Sequence, residues 1–206
     1  MSGESPTEDG DADAHRDPDA HRDPDAHRDP DADPDPSPTR VAVTGTPGTG
    51  KSTATDLLAD EYDVIHLNEL IKENDALWTE RDADRDTLVA DLDAVRERLS
   101  DWAGVLDSHL AHRFDVDRVV VLRCHPETIE ARLRARGESD ATASENAESE
   151  ALDVILSEAV EEHGVENVYE IDTTDRDPQA VADAIRAAIE GEREPSAGTV
   201  DFIDYI

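Results

Sequence analysis

The amino-acid sequence predicts an α/β fold, a three-layer sandwich in which a five-stranded parallel sheet carries helices on both faces. Two observations support this prediction. Short apolar runs of strand length alternate with segments in which apolar residues recur every three or four positions. Proline and glycine bracket two of those helical segments, as they commonly do at helix starts and ends. Such alternation is typical of parallel strands joined by helical crossovers.

The first half of the ordered chain begins at Arg40. The apolar run RVAVT predicts a buried strand, which ends at a glycine-rich turn. A long helix is expected further on, because Leu88, Leu92 and Val95 recur on one face. The predicted elements are a strand at 40–44, a helix at 52–62, a strand at 63–67, a short helix at 68–74 and the long helix at 84–102.

The second half continues the alternation. The segment PETIEARLRARG starts with proline and stops at glycine, which predicts a helix with both ends marked. The polar segment that follows it predicts a loop. The predicted elements are strands at 102–107 and 117–124, a helix at 126–137, the loop at 138–145, a helix at 146–164, a strand at 167–172 and a helix at 177–191.

Residues 1–39 differ in composition from the rest of the chain. The hexapeptide DAHRDP occurs at 13–18, 19–24 and 25–30, and seven of the 11 prolines lie in this segment. Such a segment cannot bury enough apolar surface to offset the entropy lost on ordering. We therefore expect a disordered acidic repeat tail, then one domain at 40–190 and a C-terminal extension at 191–206. A weak metal site at the tail histidines His15, His21 and His27 is the less favoured alternative.

The chain is extremely acidic, with 53 Asp and Glu against 19 Lys and Arg and a net charge of −34. This composition argues against direct sequence-specific binding of nucleic acid, which requires a basic face. Only Lys51 and Lys72 are lysines. An acid-rich, lysine-poor surface favours a halophile, because molar salt screens charges within about 3 Å. An unusually acidic protein from ordinary salt is the alternative.

The sequence carries no sign of export or membrane insertion. Cys124 is the only cysteine, which excludes an intramolecular disulfide and fits a reducing cytosol. No apolar run approaches the roughly 18 residues of a membrane span, and the N-terminus lacks an apolar signal core. We expect a soluble cytoplasmic protein that does not bind membranes.

One motif carries the chemistry. The segment GTPGTGKS at 45–52 matches the phosphate-binding pattern G-x-x-x-x-G-K-[ST] in full and lies between an apolar strand and a helix. Backbone N–H groups of such a loop point at phosphate oxygens, and the helix start adds a partial positive charge. The sequence therefore predicts a P-loop NTPase fold that binds ATP and Mg²⁺.

Each residue type of this loop suits a part of the nucleotide. Gly48 and Gly50 allow the tight backbone turn. Lys51 reaches the β- and γ-phosphates, the Ser52 hydroxyl binds Mg²⁺ and Thr53 helps to hold the α-phosphate. The alternative, a glycine-rich turn with an accidental lysine, is disfavoured because one of only two lysines lies at this position.

The segment after the strand GVL at 104–106 contains two further candidate site residues, Asp107 and His109. Asp107 ends that apolar run, and a P-loop requires a carboxylate for Mg²⁺ at the end of a neighbouring strand. We expect Asp107 to hold the metal through water. His109 would orient water or a phosphate, although an ordinary loop histidine fits the sequence equally well.

Three arginines, Arg132, Arg134 and Arg136, crowd the end of a predicted helix. Arginines from mobile flaps commonly neutralise charge on transferring phosphoryl groups. We favour this role, above all for Arg136. Solvated arginines that stabilise a helix C-terminus are the alternative.

Together these motifs resemble the small nucleoside monophosphate kinases. Within them, the chain is most similar to the adenylate kinase isoenzyme six type, a branch that doubles as a ribosome-assembly factor. The D-x-H ending at 107–109 is the most discriminating feature. The matching segments span most of 40–190: GTPGTGKST, LNEL at 67–70, GVLDSH at 104–109, VVVLR at 119–123, and RLRARG followed by EN at 145–146.

The resemblance implies transfer of the ATP γ-phosphoryl group to a nucleoside monophosphate with broad specificity, and a slower ATPase activity. It makes 66–86 the monophosphate-binding arm and 135–145 a lid. It also implies transient binding to a platform protein of the small ribosomal subunit and a role in late rRNA maturation. The implied ATP-binding residues are Gly48, Gly50, Lys51, Ser52, Thr53 and Arg136, with Asp107 and His109 as the Mg²⁺ and catalytic-loop residues.

Two departures and three alternatives remain. Relatives often carry lysine in the lid, whereas this chain has DATA at 140–143, so lid closure rests on Arg136. The acidic repeat has no counterpart in the family. An ATPase that releases a ribosomal protein is the main alternative function. A GTPase switch lacks the N-K-x-D motif, and a small-metabolite kinase such as a shikimate kinase is kept open by Arg81 and Arg85.

Overall fold

The structure, a computed structural model, describes residues 39–82 and 87–206. The predicted disordered tail therefore lies outside the described residues, except for Thr39. The strands are β1 (Arg40–Thr44), β2 (Val64–His66), β3 (Trp78–Asp82), β4 (Thr87–Ala90), β5 (Gly104–Asp107), β6 (Arg118–Arg123) and β7 (Val168–Asp172). The α-helices are α1 (Lys51–Asp56), α2 (Leu67–Lys72), α3 (Leu92–Arg98), α4 (Pro126–Ala135), α5 (Asp140–Ala151), α6 (Val154–His163) and α7 (Pro178–Ile189).

Five strands form one parallel sheet in the order β2-β5-β1-β6-β7, which confirms the predicted fold class. Val43 and His66 both pair with Asp107 in the register of the sheet. Because parallel strands end at the same edge, the loops after β1, β2 and β5 lie side by side.

Side chains alternate between the two faces of the sheet, and each face has its own core. On one face, Ala42, Leu106 and Val119 pack with residues of α2, α3 and α6. On the other face, Val41 and Val43 pack with residues of α1 and α7. The helices therefore cover both sides, as the sequence predicted.

The long helix predicted at 84–102 is wrong in its first half. Residues Thr87–Ala90 form β4, which pairs antiparallel with β3 in a separate two-stranded sheet. Helix α3 begins only after Asp91, whose side chain accepts a hydrogen bond from the Ala94 N–H at 3.1 Å. Leu88 and Ala90 are half-buried and Val89 is exposed, which is the alternation of a strand.

The loop predicted at 138–145 is also wrong, because α5 begins there. Ser139 caps this helix by accepting from the Thr142 N–H at 3.1 Å. The helix predicted at 146–164 is two helices, since α5 ends at Ala151 and Asp153 adopts a left-handed backbone conformation with φ 56° before α6. Among the described residues, no helix is both long and apolar enough to cross a membrane.

Candidate active site

The glycine-rich loop passes from β1 to α1 at the edge where the parallel strands end. Gly45 has φ 137°, and a Cβ atom there would lie 2.3 Å from the carbonyl oxygen of Leu122 on β6. No side chain fits this position, so the loop follows the sheet edge closely. Thr173, after β7, donates through its hydroxyl to the Thr49 carbonyl oxygen at 2.9 Å and fixes the loop from the other side.

The Lys51 side chain lies over this loop and is buried. Its ammonium group donates to the carbonyl oxygens of Gly45 at 2.7 Å and Thr46 at 3.1 Å. Burial lowers the pKa of Lys51 to about 8, against the opposing charges of Asp107 and Glu150. The group is therefore mostly protonated at pH 7, and the loop presents a cation as the motif predicted.

Ser52 and Asp107, both predicted from the sequence, lie together in the structure. The Ser52 hydroxyl donates to Oδ2 of Asp107 at 2.7 Å. The other oxygen, Oδ1, is buried and has no hydrogen-bond partner among the described residues. Mg²⁺ prefers one or two carboxylate or hydroxyl oxygens and keeps several waters and phosphate oxygens. The hydroxyl, the carboxylate and its unpartnered oxygen fit such an ion.

His66, at the end of β2, adds a contact to Asp107 that the sequence did not predict. Its Nδ1 lies 2.9 Å from Oδ2 of Asp107, and its Nε2 lies 3.2 Å from Oδ1 of Asp56. The ring thus bridges two carboxylates and fixes Asp107 beside Ser52. A proton on Nδ1 makes the ring a donor to Asp107.

His109 lies in the loop after β5 and lines a cavity of about 160 Å³ with Lys51, Ser52 and Asn68. Burial is the main reason why the pKa of His109 falls to about 4, and the positive charge of Lys51 adds to it. The imidazole is therefore neutral at pH 7. The neighbouring Ser108 fixes this loop by donating to the Asn68 side-chain oxygen at 3.0 Å.

A second cavity of about 370 Å³ lies between the end of α4 and the loop that leads into α7. It is lined by residues that include Ala135, Thr173 and Pro178. Both cavities are lined by Gly48, Gly50, Thr53 and Arg136.

The three predicted arginines have different surroundings. Arg132 donates to the Gly48 carbonyl oxygen at 2.9 Å and so braces the phosphate loop. Arg134 is exposed and pairs with Glu130 and Asp140 at 2.7 and 2.8 Å. Arg136 is exposed, lines both cavities and lowers the pKa of Lys51 by its charge. Of the three, only Arg136 lines both cavities, whereas Arg132 lines the larger one.

Comparison with known proteins identifies relatives of this chain. A family model described as an AAA domain matches residues 41–153. A Natronomonas pharaonis protein named "putative adenylate kinase" is 61% identical over 168 residues, which cover 81% of this chain and 99% of that protein. Proteins of the same name from Halobacterium salinarum and Methanosarcina acetivorans are 59% and 40% identical, again over 81% of this chain and 98–99% of theirs.

The chain belongs to this adenylate kinase family. Within the family site, two further residues escaped sequence reasoning. Glu150 on α5 accepts a hydrogen bond from the Thr46 hydroxyl at 2.5 Å, and Arg123 on β6 donates to Glu150 at 2.8 Å. Each belongs to a residue type that is common on the surface, and only the tertiary fold brings them beneath the phosphate loop.

Proposed function

We propose that this protein is a nucleoside monophosphate kinase of the adenylate kinase type, which converts MgATP and AMP to two ADP. The observation that carries the proposal is the pair of cavities that meet at the phosphate loop. We place one nucleotide on each side: Thr53 and Arg136 line both cavities, and Lys51 lines the smaller one. The identity of the relatives supports the same reaction.

In this proposal, the nucleoside of ATP occupies the larger cavity and its phosphates follow the loop from Gly48 to Ser52. A phosphate oxygen of AMP attacks the γ-phosphorus, the bond to the β-phosphate oxygen breaks, and ADP leaves on each side. Lys51 and Arg136 stabilise the negative charge that spreads over the transferring group. Mg²⁺ held by Ser52 and, through water, by Asp107 would neutralise further charge on the phosphates.

A slower ATPase activity follows if water takes the place of the acceptor. Neutral His109 lines the smaller cavity and can accept a hydrogen bond from that water without adding a positive charge. Replacing His109 with alanine should then slow hydrolysis and spare ATP binding.

The test of the kinase is a panel of phosphate acceptors with MgATP in molar KCl, followed by ADP formation. Nucleoside monophosphates should be the best substrates. Lys51→Ala should lower turnover at least about 10-fold, because contacts of a charged group contribute about 1.5–3 kcal/mol each. Arg98→Ala removes the same charge from an exposed position on α3 and should retain wild-type turnover. Preference for a carboxylic-acid metabolite would instead identify a small-metabolite kinase.

We also propose an ATP-timed role in small ribosomal subunit maturation, supported by the resemblance through GVLDSH and RLRARG. The net charge of −34 suits a basic ribosomal protein as a partner. Nucleotide must then change the affinity for that partner, and the partner the affinity for nucleotide, by the same factor. A pull-down of the cognate platform protein in molar KCl, without nucleotide, with ATP and with ADP, tests this role. Equal retention in all three, or none, contradicts it.

A further inference from the structure

A buried carboxylate lies directly under the phosphate loop. Glu150, in the last turn of α5, is 3% exposed. One carboxylate oxygen, Oε2, accepts from the Thr46 hydroxyl at 2.5 Å. The other, Oε1, accepts from Nε of Arg123 at 2.8 Å and from the Cys124 N–H at 3.1 Å. Helix α5, the loop and the end of β6 therefore meet at a single side chain.

Stability alone does not require a charge at this place. Arg123 is 1% exposed and pairs with Glu150, with Asp153 and, at 2.5 Å, with Glu170. Removing two charges from water costs several kcal/mol per ion, so a buried ion pair is a weak stabiliser compared with apolar residues of similar volume. The pairing with Arg123 therefore does not explain why a carboxylate lies here. The hydrogen bond that Glu150 accepts from the Thr46 hydroxyl is a separate contact of this carboxylate.

Thr46 is the residue on which the loop converges. Its carbonyl oxygen accepts from the Thr49 N–H at 3.2 Å, from the Thr49 hydroxyl at 2.9 Å and from the Lys51 ammonium at 3.1 Å. Among Thr46, Thr49 and Lys51, the described hydrogen bonds link Glu150 only to the Thr46 side chain. A hydrogen bond that fixes the Thr46 hydroxyl also fixes the Thr46 carbonyl group, and the carbonyl oxygen in turn positions the Lys51 ammonium group.

We infer that Glu150 is a positioning residue for nucleotide binding, which holds the phosphate loop in shape from helix α5 through Thr46. It is not a catalytic residue, because it lines neither of the two cavities at the loop. Helix α5 begins at Asp140, inside the proposed lid, so the contact ties the loop to the helix that leads out of the lid. The inference rests on the proposed function only in taking ATP as the nucleotide.

The decisive variant is Thr46→Val, which removes the hydroxyl and leaves the pair of Arg123 and Glu150 intact. We expect the Kd for ATP, measured by direct binding in molar KCl, to rise about 10-fold, as for loss of a hydrogen bond to a charged group. Thr46→Ser keeps the hydroxyl and should stay within about twofold of wild type. In kinetics, the KM for ATP should rise while the KM for the monophosphate stays constant.

A double-mutant cycle separates positioning from general damage. Thr46→Val should weaken ATP binding by less than about twofold in a Glu150→Met background, because methionine offers the Thr46 hydroxyl no oxygen to donate to. Glu148→Met changes an exposed acid on the same helix and serves as the matched control. If Glu150→Met fails to fold, the comparison of Thr46→Val with Thr46→Ser decides alone.

Two results would overturn the inference: wild-type ATP affinity in Thr46→Val, or equal losses in Thr46→Val and Thr46→Ser. A full effect of Thr46→Val in the Glu150→Met background would also overturn it. Failure of the proposed function looks different, because the wild-type protein would then bind ATP but transfer no phosphate to monophosphates.

Discussion

His109 is a residue whose surroundings oppose its protonation. Burial contributes most, and the charges of Lys51, His112 and Arg113 add to it, whereas Asp107 favours the charged form. The pKa is about 4 in the folded chain, against 6.5 for the free side chain. Between these values the unfolded chain binds more protons than the folded one. The neutral, buried His109 therefore contributes its full stabilisation of the folded chain above pH 6.5, and this contribution is lost as the pH falls through 4.

We predict that His109→Gln reduces the loss of unfolding free energy that accompanies a fall in pH below neutrality. The wild-type protein should lose at most about 3 kcal/mol more than the variant between pH 7 and pH 4, which corresponds to the shift in pKa. Denaturant unfolding in molar KCl at several pH values measures this difference. His112 remains in the variant, and burial lowers its pKa too, so some pH dependence of the same sign should persist. Identical profiles for both proteins would contradict the burial of a neutral His109.

Individual site residues were predictable where the chemistry is local in sequence. Gly48 to Thr53 form one continuous motif, and Asp107 and His109 follow one apolar strand. The partners of these residues were not predictable. Glu150 is 104 positions from Thr46, His66 is 41 positions from Asp107, and nothing distinguishes Glu150 among 53 acids until the chain folds.

At the scale of elements, the parallel strands were predictable because apolar runs rich in β-branched residues, such as RVAVT and VVVL, favour buried strands over other structures. The first half of helix α5 was not, since its buried residue Ala143 is small and lies among acids and hydroxyls. The hairpin of β3 and β4 was missed for a related reason. Leu88, Leu92, Val95 and Leu99 fit a helical period by spacing alone, although Leu88 lies in β4, Leu92 and Val95 lie in α3, and Leu99 follows the end of that helix.

The C-terminal extension beyond α7 is tied to the same buried network as the phosphate loop. Oε2 of Glu170 accepts from the Thr199 N–H at 2.6 Å, the Thr199 hydroxyl at 2.8 Å and the Val200 N–H at 3.1 Å. The Phe202 ring lies 5.6 Å from the guanidinium carbon of Arg123. The extension therefore supplies donors that a fully buried carboxylate requires.

We predict that deletion of residues 196–206 destabilises the protein by at least about 2 kcal/mol, because a buried acceptor loses its partners. A shorter deletion of residues 204–206 retains all three donors and should cost distinctly less. The measurement is the free energy of unfolding in molar KCl for both truncations. Equal stability of the two would show that the donors to Glu170 do not matter.

At the scale of the whole molecule, the main feature is the surplus of acidic over basic residues. Residues 40–206 contain 40 acids and 16 bases, and residues 1–39 contain 13 acids and 3 bases. Surface ion pairs such as Arg186 with Glu61 and Arg113 with Glu158 occur, both at 2.8 Å. Exposed pairs contribute little, typically about 0–1 kcal/mol, and they leave most of the acids uncompensated. A halophilic origin fits both this surplus and the Halobacterium relative.

We predict that stability falls steeply when KCl is lowered from molar concentration to about 0.1 M, where the Debye length lengthens from about 3 to 10 Å and acids repel one another over longer distances. The melting temperature across a KCl series measures this. Sucrose strengthens folding by exclusion without screening charge, so it should restore less stability at low salt than KCl does.

A charge-reduced variant identifies the cause of this salt requirement. Asp60, Glu97, Asp101 and Glu161 are exposed acids on different parts of the surface, and replacing them with Asn or Gln raises the net charge from −34 to −30. If self-repulsion sets the requirement, this variant should unfold at a lower KCl concentration than the wild type and differ little from it in molar KCl, where screening already suppresses the repulsion. Parallel salt profiles would contradict that account. The salt effect would then reside in hydration or ion binding rather than in net charge.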